Sequence, residues 1–188
     1  MKATKRQAEL ITPTSAELVI MPTEISHLAE LAKDMRKEDA DEIMASGGYS
    51  PLEGLRAGFW NSDFCSTGFL FGDMVAIFGI LRKGSALAGT NIAWLLTGYG
   101  VEKHPIAFFK GCKIVIEDLL QTYPTLVNMI DARHTRALSW ARHLGAELGE
   151  PVPFGMARLP FRKMTLRRIQ CVNLSPYQLR RDWRLRAR

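Results

Sequence analysis

Residues 126–147, LVNMIDARHTRALSWARHLGAE, read as a strand followed at once by a helix, and this pairing decides the fold. Leu126 to Ile130 is a continuous apolar run of strand length. From His134 to Leu144 the apolar residues Leu138, Ala141 and Leu144 fall on one helical face, and Gly145 supplies a left-handed cap. Upstream, His104-Pro105 opens another helix, with Ile106, Phe109, Ile114, Ile116, Leu119 and Leu120 expected inward. Tyr123-Pro124 ends it, because the residue before a proline avoids helical conformation. Asn91 to Leu96 (NIAWLL) is the strand before that helix. A helix between two strands of one sheet implies a parallel, right-handed crossover.

Further upstream, Ser66–Phe71 and Met74–Leu81 are β-rich runs joined at Gly72-Asp73, a two-residue hairpin turn. A Gly/Ser/Ala-rich loop separates them from the next strand. Glu17–Met21 is a short strand ended by Pro22, and Thr23 is expected to cap a helix carrying Ile25, Leu28, Leu31 and Ala32 inward. Asp34 to Ala45 is a charged helix closed by Gly47-Gly48, and Ser50-Pro51 opens a third helix through Trp60. Downstream, a Pro/Gly segment from Pro151 to Pro160 leads to a last strand, Lys163–Val172. The organisation expected is an N-terminal extension (1–15), an α/β domain (16–150), a linker with the last strand (151–172) and a C-terminal arm (173–188). The core is expected to centre on Phe69, Val75, Ile77, Trp94, Leu96, Phe109, Ile116, Val127, Met129, Leu138 and Trp140.

Charge is distributed unevenly. Residues 158–188 carry ten Lys/Arg and one acidic residue, whereas residues 1–157 carry fifteen basic and eighteen acidic ones. A mildly acidic body therefore bears a cationic arm. The apolar fraction of 47% suits an ordinary globular chain, and no apolar run is long enough for a membrane span. The basic N-terminus lacks the apolar stretch of a secretion signal. Cys65, Cys112 and Cys171 are odd in number and widely spaced, which points to reduced thiols and away from a disulfide frame or a zinc site.

This order of elements is similar to that of the GNAT acyltransferases: a strand, paired helices, three antiparallel strands, a helix, a strand, a helix and a final strand. Ala137 and Gly145 match the family's segment after the fifth strand. His134 stands where an Asn is expected, Ala141 where a Tyr is expected, and Ala146 replaces a Phe. The resemblance implies an α/β fold with a mixed, mostly antiparallel sheet flanked by helices, with the terminal arms outside it. From Arg36 and Asp39-Ala40-Asp41-Glu42 through Trp94-Leu95-Leu96 to Asn128 and Asp131, the chain also resembles GNAT-like internal virion or morphogenesis proteins of short-tailed lytic bacteriophages. That resemblance implies a structural or assembly protein without enzymatic activity, placed in the virion and, during assembly, in the host cytoplasm. Its partners would be other virion proteins or further copies of itself.

An enzyme of this family holds the acyl-CoA pyrophosphate on backbone N–H groups at a glycine-rich helix start. The corresponding residues are Gly98, Tyr99, Gly100 and Val101. Glu102 places a negative charge there and Pro105 removes a donor, so no cofactor is expected; acetyl-CoA is the alternative. A plain turn also accounts for Gly98-Tyr99-Gly100. Ala141 cannot serve as the family's general acid, Tyr99, Cys112 and His143 are the possible substitutes, and no catalytic residue is assigned. Asp34 to Glu42 interleaves its signs in the manner of a solvated helix face, without the His/Cys set of a metal site.

The arm ends RRDWRLRAR. Tyr177, Trp183 and Leu185 supply apolar anchors, and Arg180, Arg181, Arg184 and Arg186 supply charge. Docking onto protein is the expected role. Contact with DNA, through phosphates and aromatic stacking, is the alternative.

Overall fold

The computed structural model describes residues 18–81 and 91–168. Its elements are β1 (Leu18–Pro22), α1 (Ile25–Asp34), α2 (Lys37–Gly47), α3 (Pro51–Asn61), β2 (Ser62–Leu70), β3 (Asp73–Leu81) and β4 (Asn91–Thr97). They continue with α4 (Gly100–Lys103), α5 (Pro105–Thr122), β5 (Thr125–Asp131), α6 (Thr135–His143), β6 (Glu147–Phe154) and β7 (Leu159–Arg167). The strands form one seven-stranded sheet in the order β1-β2-β3-β4-β5-β7-β6. Every neighbouring pair is antiparallel except β4 and β5, which run parallel. This is the mixed, mostly antiparallel sheet that the resemblance implies. No helix among the described residues is long and apolar enough to cross a membrane.

Side-chain alternation on β3 divides the core. Ile77 faces Leu28, Leu31, Leu55 and Phe59 of α1 and α3. Phe78 and Ile80 face the other way, against Val115, Leu119 and Leu120 of α5. Of the expected core, Val75, Ile77, Val127 and Leu138 are buried, while Phe69, Trp94, Leu96, Phe109, Ile116, Met129 and Trp140 are only partly so. The α5 face differs from the expected one. Phe108, Gly111, Val115 and Leu119 are buried, while Ile106 and Ile114 face outward. The helix is apolar on more than one side, so periodicity alone could not select the seam; Gly111 does, by admitting Leu18 of β1 against the helix backbone.

Several local expectations are corrected. The hairpin turn lies at Phe71-Gly72, both at positive φ (52° and 89°), with Leu70 paired to Asp73. Glu24, not Thr23, precedes α1, because the Thr23 hydroxyl accepts the Thr67 hydroxyl of β2 at 3.0 Å. Asp34 closes α1 and is not the start of α2. Between the two helices Met35 bridges to Gly98, and Arg36 N–H donates to the Thr97 carbonyl at 3.0 Å. The Pro/Gly stretch 151–160 is no linker: it completes β6 and begins β7, joined by a turn with Gly155 and Arg158 at positive φ. Pro151 and Pro153 are tolerated because β6 is an edge strand. The last strand ends at Arg167, and the remainder expected through Val172 lies outside the described residues.

Candidate functional site

The parallel pair is the weak seam of the sheet. β4 and β5 pair only at Asn91–Leu126 and Ile92–Val127, then diverge, so β4 from Ala93 to Thr97 and β5 from Asn128 to Asp131 do not pair with each other. The divergence opens a cleft of about 200 Å³. Its walls are chiefly apolar and include Ala93, Phe108, Ile130 and Trp140. Phe108 and Trp140 stack with ring centroids 4.7 Å apart, which fastens α5 to α6 beside the opening.

One end of the cleft is polar, because the tie between Arg36 and Thr97 brings the start of α2 to the end of β4. Arg36, Asp39 and Glu42 project there from α2 and its first flanking residue. The side chain of Asp39 is buried and accepts hydrogen bonds from Thr97 N–H (2.9 Å) and from the Thr97 hydroxyl. Burial pushes the Asp39 pKa up, opposed by those hydrogen bonds and by Arg36. Arg36 is itself buried, and its Nε and Nη2 groups make no hydrogen bond. The nearest carboxylates, Glu38 and Glu102, stand off at 3.6 and 3.8 Å. Glu102 is engaged at 2.9 Å by Arg136.

The facing wall comes from the end of β5 and the start of α6. Glu42 accepts the backbone N–H of Asp131 at 3.0 Å and faces His134 Nδ1 at 3.7 Å. His134 is the residue before α6, is buried, and its Nε2 has no partner. Burial raises the Asp131 pKa, but the Arg133 guanidinium at 2.6 Å and the Arg133 N–H outweigh it and hold it below the usual carboxylate value. The sequence reading of 34–42 as a solvated face is therefore wrong at Arg36 and Asp39. Lys37, Glu38 and Asp41 do face solvent, and Lys37 pairs with Asp41 at 2.5 Å. A helix beginning at Lys37 turns positions 36 and 39 toward the sheet, a phase that interleaved charges cannot report.

The glycine-rich loop lies beside this end of the cleft. Gly98 N–H donates to the Val75 carbonyl, Tyr99 N–H to Asp34, Val101 N–H to Gly98 and Glu102 N–H to Tyr99. Those four donors are already used within the protein. A Cβ at Gly98 would meet Asp34 Oδ2 at 2.7 Å, and one at Gly100 would meet the Met74 carbonyl at 3.2 Å. Packing against α1 and β3 thus accounts for both glycines. Glu30, Asp34 and Asp73 line the adjoining hollow, where Lys103 is occupied by Asp73 at 2.8 Å. With those donors spent, the loop is poorly suited to a pyrophosphate, whereas the cleft between β4 and β5 is chiefly apolar.

Ala141 is buried against Ile130 and Leu138, so no acid stands at that position. Of the substitutes, His143 Nδ1 contacts the Ser139 carbonyl at 2.8 Å, and burial pushes the Cys112 thiol up to about 12. Tyr99 is half-exposed. The arm residues Tyr177, Arg180, Arg181, Trp183, Arg184, Leu185 and Arg186 lie outside the described residues.

No family model and no curated protein matches the sequence. Solved structures do match the fold. An acetyltransferase from Agrobacterium tumefaciens str. C58 superposes with a TM-score of 0.62 at 14% identity, covering 89% of this chain and 100% of that one. A ribosomal-protein-alanine N-acetyltransferase from Brucella melitensis gives 0.61 at 13% identity, over 80% and 99%. RimL, a ribosomal L7/L12 α-N-protein acetyltransferase solved with coenzyme A, gives 0.60 at 9% identity, over 82% and 96%. The chain has the GNAT acetyltransferase fold.

Proposed function

We propose that this chain is a GNAT-type acyltransferase whose β4–β5 cleft receives the acyl end of a thioester donor. The observation that carries the reading is the buried Arg36 guanidinium, whose Nε and Nη2 have no hydrogen-bond partner beside that cleft. Carboxylates at 3.6 and 3.8 Å offset its charge but accept no hydrogen bond; a buried donor without one is costly, and a carbonyl oxygen entering the cleft would relieve the cost. A thioester supplies an activated carbonyl when bound. Arg36 then offers two N–H groups to that oxygen as negative charge develops on it. Asp39 holds the end of β4 through Thr97, which fixes the strand edge against which the donor would lie. The Phe108–Trp140 stack holds the apolar walls together and keeps water from the acyl group.

The assembly role implied by the resemblance to internal virion proteins is the less supported reading, since the three matched structures described above are acetyltransferases. To test acyl transfer, the full chain is incubated with an acetyl thioester and a panel of small amines, and acetylated product is followed by mass spectrometry. Product that disappears in Arg36→Met supports the proposal; absence of product from every amine counts against it.

A further inference from the structure

His134 is the second buried polar group beside the cleft with an atom left unpaired, and its setting differs from that of Arg36. Its Nδ1 faces the Glu42 carboxylate at 3.7 Å, and Glu42 is held in place by the Asp131 N–H at 3.0 Å. A carboxylate facing Nδ1 favours the tautomer with the proton on Nδ1, which leaves a lone pair on Nε2. That Nε2 atom is buried and has no partner, in a side chain that lines the cleft. It can accept a hydrogen bond but has none to accept.

The surrounding charge indicates what the donor would be. Asp39, Glu42, Arg36 and Arg136 line this end of the cleft, and Glu38, Glu102, Asp131 and Arg133 pair with or flank them just outside it. Carboxylates outnumber cations, which favours an amine and disfavours a second carboxylate beside it.

Resting on the acyl-transfer reading, we infer that His134 Nε2, with its Nδ1 facing Glu42, is the base for a primary-amine acceptor that carries no adjacent carboxylate. Nε2 takes one N–H proton as the nitrogen lone pair forms the N–C bond to the acyl carbon. The C–S bond breaks with its electron pair on sulfur, and the thiolate takes a proton from solvent. The imidazolium returns its proton to solvent afterwards.

The test uses full-length protein with ¹⁵N-labelled imidazoles, the His134 signals being identified by their loss in His134→Gln. The expected spectrum has His134 protonated on Nδ1, and glycinamide shifts its Nε2 signal saturably while glycine shifts it far less. Glu42→Gln should erase the tautomer preference. With S-acetylpantetheine as donor, His134→Gln should lower kcat for glycinamide by about 10²-fold or more, with KM for the donor unchanged. A proton on Nε2, no response to glycinamide, or wild-type turnover in His134→Gln overturns the assignment. If glycinamide shifts His134 but no thioester binds, the amine site stands and the acyl-transfer reading falls. If the thioester binds and His134 stays silent, the reverse holds.

Discussion

Asp39 on α2 and Thr97 at the end of β4 lie 58 residues apart and are joined twice, through the Thr97 N–H at 2.9 Å and through its hydroxyl. This pair sets the phase of α2 against the sheet and brings Arg36 and Glu42 to the cleft. Asp39→Ala would leave a buried N–H unpartnered and should cost about 1–3 kcal/mol. Asp41→Ala, on the exposed side of the same helix, should stay within about 0.5 kcal/mol. Chemical denaturation of the two variants checks the contrast.

The same carboxylate has a pH signature. Its folded pKa is raised, so its contribution to stability is greatest below the ordinary aspartate value of 3.8 and declines as pH climbs from there to the folded value. Asp73 and Asp131 have lowered values and the opposite sign, losing their contribution as pH falls through their folded values. Asp39→Asn removes the opposing contribution. As pH climbs from about 3.8 toward the folded Asp39 value, the wild type should therefore lose stability relative to Asp39→Asn, and denaturation midpoints across that range will show it.

Arg36 bears on stability and activity together. Replacing a whole buried ion pair by apolar side chains is often neutral or stabilising, but Arg36→Met removes one member only and takes from the buried Asp39 the cation that opposes its burial, so it should be less stable than the wild type. Glu38 and Glu102 are about half-exposed and can turn to water, and Glu102 retains Arg136, which limits that loss. In the folded protein, loss of the two donors should lower kcat by about 10²–10³-fold. Thermal melts beside rate measurements test both halves.

The β6–β7 hairpin was the least legible part of the chain. Pro151, Pro153 and Pro160 signal a linker, yet the first two lie on an edge strand and Phe161 beside the third is fully buried. Phe161→Ala should cost about 3–5 kcal/mol, while Ile106→Ala on the outer face of α5 should cost within about 0.5. Urea titration of both variants decides whether residues 151–167 belong to the core.

The β2–β3 hairpin, the β4–α5–β5 crossover and the Gly145 cap could be read because each depends on neighbours in sequence. The Phe71-Gly72 turn was misplaced by one residue, since a phenylalanine at positive φ carries no sequence signal. The candidate site was legible only at the glycine loop, where the fit to phosphate is poor. Its working groups are separated in sequence: Arg36, Asp39 and Glu42 meet Thr97, Asp131 and His134 only once the sheet has formed. Nothing in a run of alternating charges marks which two of them turn inward.

On the acyl-transfer reading, the cleft between β4 and β5, and not the Gly98–Val101 loop, holds the acyl donor. Calorimetric titration of the full chain with S-acetylpantetheine and with acetyl-CoA tells the two apart. Both should bind, with acetyl-CoA no more than about tenfold tighter, because the N–H groups of Gly98, Tyr99, Val101 and Glu102 are spent on Val75, Asp34, Gly98 and Tyr99. Failure of both ligands to bind, or acetyl-CoA binding with S-acetylpantetheine silent, would contradict it.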